Sequence, residues 1–229
     1  MESLSEDYIF RAIERLHLRF EGSYSVTELI TGVDFVEQMI KVAFKEKLKL
    51  LQSDISINGW AIENRLYAED PYRNFLPSIG RLTRYRPPDE FESSKHIIRN
   101  DTGVFEGGEI SMYYDPMIAK LCTWAPTRPE AIACMREALD SFEVEGIGHN
   151  LPFLSAVMDH PRFIMGDITT AFIEEEYPDG FTGVELPEDE LLRVAASCAA
   201  MNRVAEIRRT KISGRMDNHE RRVGDKWIV

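Results

Sequence analysis

The stretch from Gly59 to Gly80, GWAIENRLYAEDPYRNFLPSIG, combines a strand pattern with charged side chains that packing alone does not explain. Apolar and polar residues alternate as far as Tyr67, which is typical of a half-buried strand. This strand carries the guanidinium of Arg65 close in sequence to several carboxylates. Pro71 and Pro77 then fix turns, because each proline locks its own φ angle. We therefore predict a rigid platform that presents a fixed positive charge.

The size and charge of the chain exclude several classes of protein. Its 229 residues, 44% of them hydrophobic, can form one large domain, or one domain and part of another. The formal net charge of -12 disfavours nucleic acids and anionic membranes as partners. No apolar run of about eighteen residues is present, and the first residues are acidic where a secretory signal is basic. We expect a cytoplasmic protein with neither a nucleic-acid nor a membrane partner.

The cysteines and histidines do not form a recognisable metal or disulfide pattern. Cys122, Cys134 and Cys198 are odd in number and lack CxxC spacing, so we predict reduced thiols in the core. The five histidines lack ligand spacing and are expected at the surface, except for His149, which is expected beside a helix cap. We predict no metal site.

The first half of the chain predicts two helices followed by a sheet. Apolar residues at helical spacing predict a helix over 5–18, and Asp34 can cap a second helix that buries Phe35, Met39 and Val42. From residue 54 to 124 the pattern is that of an antiparallel sheet. Besides the opening stretch, strands are predicted at 81–86, 97–104 and 110–124, with a mobile charged loop at 87–96.

The second half predicts helices that pack on this sheet. Thr127 and Glu130 form a capping box, and Asn150 is positioned to cap a helix that begins near Leu151, after a short strand at 143–147. An Ala-rich helix at 186–209 is followed by β segments around a polar turn, and nothing remains after Val229 to pair with them. We predict an α+β fold: a mostly antiparallel sheet with packed helices, then a long helix and a truncated β segment.

Four motifs point to a known family: RLYAEDP at 65–71, FLPSIGRL at 75–82, EISMYYDPMIAKL at 109–121 and EGIGHN at 145–150. In this order they resemble the C-terminal domain of biotin carboxylase, and are most similar to the α subunits of bacterial propionyl-CoA carboxylases. The similarity extends from Val26 to Val229. It implies three parts: a divergent N-terminal helix and link at 1–25, the biotin carboxylase C-terminal domain at 26–180, and the start of a subunit-joining domain at 181–229.

The resemblance implies roles for three residues. Intact members of the family use ATP, magnesium and bicarbonate to carboxylate a protein-bound biotin. Arg65 would face the ureido oxygen of biotin and stabilise its enolate, Arg19 would hold bicarbonate, and Thr170 would border the adenine of ATP. The implied partners are the carboxyltransferase β subunit and the biotin carrier domain, with a homo-oligomer possible. The competing interpretation is that Arg65 only pairs with Glu63, Glu69 or Asp70 at the surface, which is worth about 0 to 1 kcal/mol.

The sequence departs from the family where that family has its general base. Ser23 occupies the position of the glutamate, and a hydroxyl is too weak a base to deprotonate bicarbonate. Glu21 lies two residues away and is not expected to substitute. The chain also has no counterpart of the ATP-grasp domain or of an AMKM biotin-attachment motif. We therefore expect part of the biotin carboxylase component of a propionyl-CoA carboxylase that is inactive in isolation. The alternatives are a noncatalytic module that docks on carboxylase subunits, and one half of a split carboxylase.

Overall fold

The computed structural model describes residues 24–111, 113, 115–210, 221–223 and 226–228. The chain divides into two compact units, Met1–Gly183 and Val184–Val229. The helix predicted at 5–18 lies outside the described residues, as do Arg19, Glu21 and Ser23.

The described residues form an α+β fold, as predicted. The helices are α1 (Tyr24–Thr31), α2 (Phe35–Ala43), α3 (Arg128–Asp140), α4 (Leu151–Asp159), α5 (Pro161–Met165), α6 (Phe172–Glu176) and α7 (Glu188–Thr210). The strands are β1 (Trp60–Tyr67), β2 (Glu69–Asp70), β3 (Leu76–Pro77), β4 (Gly80–Arg81), β5 (Arg84–Arg86), β6 (Phe91–Glu92), β7 (Ile97–Thr102), β8 (Glu109–Ile110), β9 (Met117–Ala125), β10 (Glu143–Glu145), β11 (Arg221–Val223) and β12 (Lys226–Ile228). Short 3₁₀ turns occur at Gln52–Asp54 and Pro71–Arg73.

The central sheet of the first unit has the strand order β1-β9-β7-β6, and each neighbouring pair is antiparallel. Because side chains alternate between the two faces of a strand, Asn64 and Leu66 point away from Arg65. Asn64 and Leu66 are buried, whereas Arg65 is only partly buried. The ladder between β1 and β9 shifts register between Leu66 and Tyr67. Arg65 therefore lies immediately before an irregularity in its own strand.

Helix α3 covers the buried face of the sheet. Its capping box is formed as predicted, with the Thr127 side chain accepting from the Glu130 N–H and the Glu130 carboxylate accepting from the Thr127 N–H. The helix then buries Met135 and Leu139 in the same core as Leu66. This apolar contact holds β1 against α3.

The strands are shorter and more interrupted than predicted. The strand expected at 110–124 is divided into β8 and β9, because Pro116 has no N–H to donate and Asp115 accepts from the Met117 N–H in a local turn. The strand expected at 81–86 also divides, since the chain changes partner from β8 to β10 near Leu82. The loop expected at 87–96 contains the short edge strand β6, which pairs with β7.

Helix α2 begins as predicted but does not bury its apolar side. Asp34 accepts a hydrogen bond from the Glu37 N–H at 2.7 Å, which confirms the cap. The predicted burial of Phe35, Met39 and Val42 is wrong for the described residues, because these side chains line an open groove of about 590 Å³. The groove is open because the segment after α2 lies beside these side chains without enclosing them.

The second unit consists of α7 and an antiparallel pair of strands, β11 and β12. The long helix and the β segments after it are therefore as predicted. Cys198 is exposed on α7, so its assignment to the core is wrong. The reason is that the described residues of α7, up to Arg209, are all exposed. Among the described residues of the chain, no helix combines the length and apolar character needed to cross a membrane.

Candidate active site

Arg65 is held by a carboxylate that lies on its own strand. Its Nε atom donates to Oε1 of Glu63 at 2.9 Å, and the side chain of Glu63 is only 5% exposed, against 31% for Arg65. The hydrogen bond to Glu63, supported by a bond to Tyr67, raises the pKa of Arg65. The pairing with Glu63 that the competing interpretation proposed is therefore present. The carboxylate is buried, however, so the pair orients the guanidinium instead of forming a mobile surface contact.

The side of the sheet that faces away from α3 carries several charged side chains around Arg65. We call this surface the charged sheet face; it consists of Glu63, Arg65, Arg99, Asp101, Lys120 and Cys122. Lys120 lies directly opposite Arg65 on β9, and Asp101 lies opposite Lys120 on β7. Two cations in adjacent positions repel each other, and they favour an electron-rich oxygen between them. Lys120 was not predicted because its place depends on the register between distant strands.

Helix α1 is fastened to the charged sheet face by two polar contacts. Arg99 donates to Glu28 and to Asp101, each at 2.8 Å, and the Ser25 hydroxyl donates to Asp101 at 3.1 Å. Burial lowers the pKa of Arg99, but the bonds to Asp101 and Glu28 outweigh it and leave the pKa above its usual value. The position of α1 is thus fixed relative to the strand that carries Arg65.

Cys122 lies on the same face but is not a nucleophile. It is fully buried, and burial, followed by the charge of Glu63, raises the pKa of its thiol to about 12. A thiol in this state remains protonated at neutral pH. The predicted packing role of Cys122 and of Cys134, which is also buried, is therefore confirmed.

Asn150 binds the backbone of the strand that carries Arg65. The structure places it at the N-cap position of α4, as predicted, but its side chain makes no capping hydrogen bond. Its amide oxygen instead accepts from the Tyr67 N–H at 2.8 Å, and its amide nitrogen donates to the Arg65 carbonyl at 3.1 Å. The edge of β1 competes successfully for this side chain because no other described strand pairs with its peptide groups on that side.

The segment before Asn150 is locked against the turn that follows β3. Gly146 has a φ of +104°, and a Cβ atom there would lie 2.2 Å from the carbonyl oxygen of Arg81. The Gly148 N–H donates to the Ser78 hydroxyl at 2.9 Å. Two of the motifs quoted above, FLPSIGRL and EGIGHN, are therefore in direct contact.

Comparison with known proteins agrees with this geometry. Residues 63–175, which include Arg65, Lys120 and Asn150, match the sequence model of the Biotin carboxylase C-terminal domain. These residues belong to that family.

Individual relatives and solved structures are similar to this chain over a larger part of its length than the family model. The propionyl-CoA carboxylase alpha chain of Ruegeria pomeroyi is 69% identical over 93% of this chain and 34% of its own length. The mitochondrial alpha chain of Homo sapiens is 46% identical over 80% of this chain and 25% of its own length. A biotin carboxylase domain of Hydrogenobacter thermophilus 2-oxoglutarate carboxylase, in complex with MgADP, ADP and bicarbonate, superposes with a TM-score of 0.64 at 42% identity. That match covers 69% of this chain and 34% of the solved one.

The chain thus spans about a quarter to a third of the curated relatives that it matches. The comparisons show the fold and the family of the matched residues, but they do not show the activity of a whole carboxylase.

Thr170 lies, like Arg65, within the residues that match the biotin carboxylase C-terminal domain. It is exposed in the loop between α5 and α6, where the neighbouring Thr169 hydroxyl accepts from the Ala171 N–H at 3.2 Å. Arg19, the second arginine implied by the resemblance, lies outside the described residues.

His149 lies in the biotin carboxylase domain beside Asn150, with its Nδ1 atom buried and without a hydrogen-bond partner in the described part of the chain. Burial lowers the pKa of His149, despite opposing effects of a bond with the Val144 backbone and of the charge on Asp70. The folded protein therefore favours the neutral ring. A second histidine, His160, was expected at the surface; its Nδ1 accepts from the Arg162 N–H at 3.3 Å and caps α5.

The neutral state of His149 should make stability depend on pH. The unfolded chain binds a proton at this residue at higher pH than the folded chain, so the free energy of unfolding should fall as pH drops below about 6.5. His149→Gln should lose less stability than the wild type between about pH 7.5 and pH 5.5. Urea unfolding of both proteins at the two pH values measures the difference, and an equal loss would contradict the assignment.

Proposed function

We propose that this chain is part of the biotin carboxylase component of a propionyl-CoA carboxylase, and that Arg65 faces the ureido oxygen of biotin there. The observation that carries the proposal is the guanidinium of Arg65, which is held by buried Glu63, stays 31% exposed and lies within the residues that match the family. The substrate class is supported by the identity to alpha chains of that enzyme.

The chemistry assigned to Arg65 is the stabilisation of charge on oxygen. Removing the proton from the ureido nitrogen of biotin places negative charge on the ureido oxygen. A fixed planar donor at that oxygen can lower the barrier by about 3 kcal/mol. Glu63 keeps the guanidinium oriented, and Lys120 on the adjacent strand adds a second positive charge. The donor set of the charged sheet face therefore fits the ureido group.

The same residues do not fit ATP and magnesium. In the described part of the chain, no group of three or more histidine, cysteine or acidic residues could hold a metal ion. We assign no phosphate or metal step to these residues. Residues outside those described would bind ATP and magnesium and provide the general base, and Arg19 would hold bicarbonate beside them. The second unit, through α7, joins the carboxyltransferase β subunit, and the biotin carrier domain brings biotin to Arg65.

This division of labour predicts that the 229 residues alone do not carry out the reaction. The purified chain, incubated with biotin, bicarbonate and MgATP, should release no more phosphate than a heat-denatured sample, because the described residues offer no group that could hold the magnesium of MgATP. An intact propionyl-CoA carboxylase assayed in parallel serves as the positive control. Biotin-dependent phosphate release by the chain would refute the proposal.

A further inference from the structure

The outer edge of β1 lacks a neighbouring strand where Arg65 lies, because the described sheet ends with this strand. Asn150 replaces that neighbour with three hydrogen bonds: two from its side chain, given above, and one from its backbone N–H to the Tyr67 carbonyl at 3.2 Å. A carboxamide has the same donor and acceptor as a peptide group. Asn150 therefore acts as a one-residue extension of the sheet.

These hydrogen bonds lie where the pairing of β1 with β9 is irregular. The register shift between Leu66 and Tyr67 falls inside the segment that Asn150 grips. A bulge of this kind disrupts the ladder and bends its strand, and a slip of one residue would turn Arg65 to the opposite face. The hydrogen bonds of the Asn150 side chain are also shielded from water, since Asn150 is only 6% exposed. Without the amide, the Arg65 carbonyl and the Tyr67 N–H would lose their partners.

Asn150 is itself held from the other side. Its carbonyl accepts from the Leu154 N–H at 3.0 Å in the first turn of α4, and Gly148 is bonded to Ser78. The position of the amide is therefore set by α4 and by the turn after β3. Such an arrangement transmits a fixed position to the backbone of Arg65.

We propose that Asn150 is a positioning residue for Arg65: it fixes the bulged edge of β1 so that the guanidinium is aimed at the ureido oxygen of biotin. The inference rests on the function proposed above for Arg65. It assigns Asn150 no contact with biotin.

The test compares two buried asparagines in the full chain. Asn64 is the matched control, because it is 7% exposed, precedes Arg65 on β1 and points to the opposite face. In Asn150→Ala, hydrogen exchange of the Tyr67 amide should accelerate about a hundredfold, and the Nε–Hε NMR signal of Arg65 should shift and lose order. Asn64→Ala should change the exchange rate of the Tyr67 amide by less than about twofold and should leave the Arg65 Nε–Hε signal in place.

Biotin titration then separates this inference from the proposed function. Asn150→Ala should weaken biotin binding about tenfold while Asn64→Ala does not. If the wild type does not bind biotin, the proposed function fails, and the two NMR signals still test the positioning. The positioning role of Asn150 would be overturned if the Arg65 and Tyr67 signals were unchanged in Asn150→Ala, or if they changed equally in Asn64→Ala. If Asn150→Ala does not fold, Asn150→Leu takes its place, since it fills a similar volume and removes both the acceptor for Tyr67 and the donor to Arg65.

Discussion

Gly146→Ala should destabilise the chain by about 4 kcal/mol, the largest effect expected of any single substitution discussed for this protein. The new methyl group would lie 2.2 Å from the Arg81 carbonyl oxygen and 2.8 Å from the Thr83 backbone nitrogen. Both are main-chain atoms, so no side-chain rotation relieves the clash. The φ of +104° adds backbone strain that alanine does not tolerate. Urea unfolding monitored by circular dichroism measures the loss.

Gly107→Ala separates strain from close approach. Gly107 also has a positive φ, +88°, but a Cβ atom there would meet nothing within 4 Å. Its replacement should therefore cost only about 1 kcal/mol. Equal losses for the two variants would mean that the contact between the EGIGHN segment and the turn after β3 is not close-packed, contrary to the structure.

Arg99→Met should have the second-largest effect, a loss of about 2 kcal/mol together with release of α1 from the sheet. The substitution keeps most of the side-chain volume but leaves the carboxylates of Glu28 and Asp101 without their cation. Glu28 is only 13% exposed, so water replaces the guanidinium poorly. Hydrogen exchange of the α1 amides, read with urea unfolding, should show faster exchange throughout the helix.

Arg84→Met is the control for the Arg99 substitution. Arg84 also pairs with a glutamate, Glu143, but the two side chains are 38% and 50% exposed. An exposed pair of this kind contributes about 0 to 1 kcal/mol. If Arg84→Met destabilised the chain as much as Arg99→Met, the attachment of α1 by a partly buried ion pair would be wrong.

Local chemistry made parts of the fold predictable from the sequence. The capping box of Thr127 and Glu130 and the cap at Asp34 depend on residues three positions apart, so both could be read directly. The alternation around Arg65 also identified its strand. In each case the interacting groups lie close together in the chain.

The surroundings of Arg65 depend on distant pairings and could not be read in this way. Asn150 precedes a helix and has the residue type of a cap, yet its side chain is taken by a strand 85 residues earlier in the chain. Lys120 meets Arg65 only through the register of β9, and a bulge changes that register two residues later. The surroundings of Arg65 are therefore determined by tertiary hydrogen bonds and strand register, which local propensity does not reveal.

The motif match predicts that Arg65 is a site residue, and biotin binding tests that prediction. The full chain, with its arginine Nε atoms labelled with ¹⁵N, is titrated with biotin alongside Arg65→Gln and the control Arg84→Gln. We expect a saturable shift of the Arg65 Nε–Hε signal, binding about tenfold weaker in Arg65→Gln, and unchanged binding in Arg84→Gln. The absence of a saturable shift at Arg65, or equal affinity in Arg65→Gln and the wild type, would contradict the claim that Arg65 faces biotin.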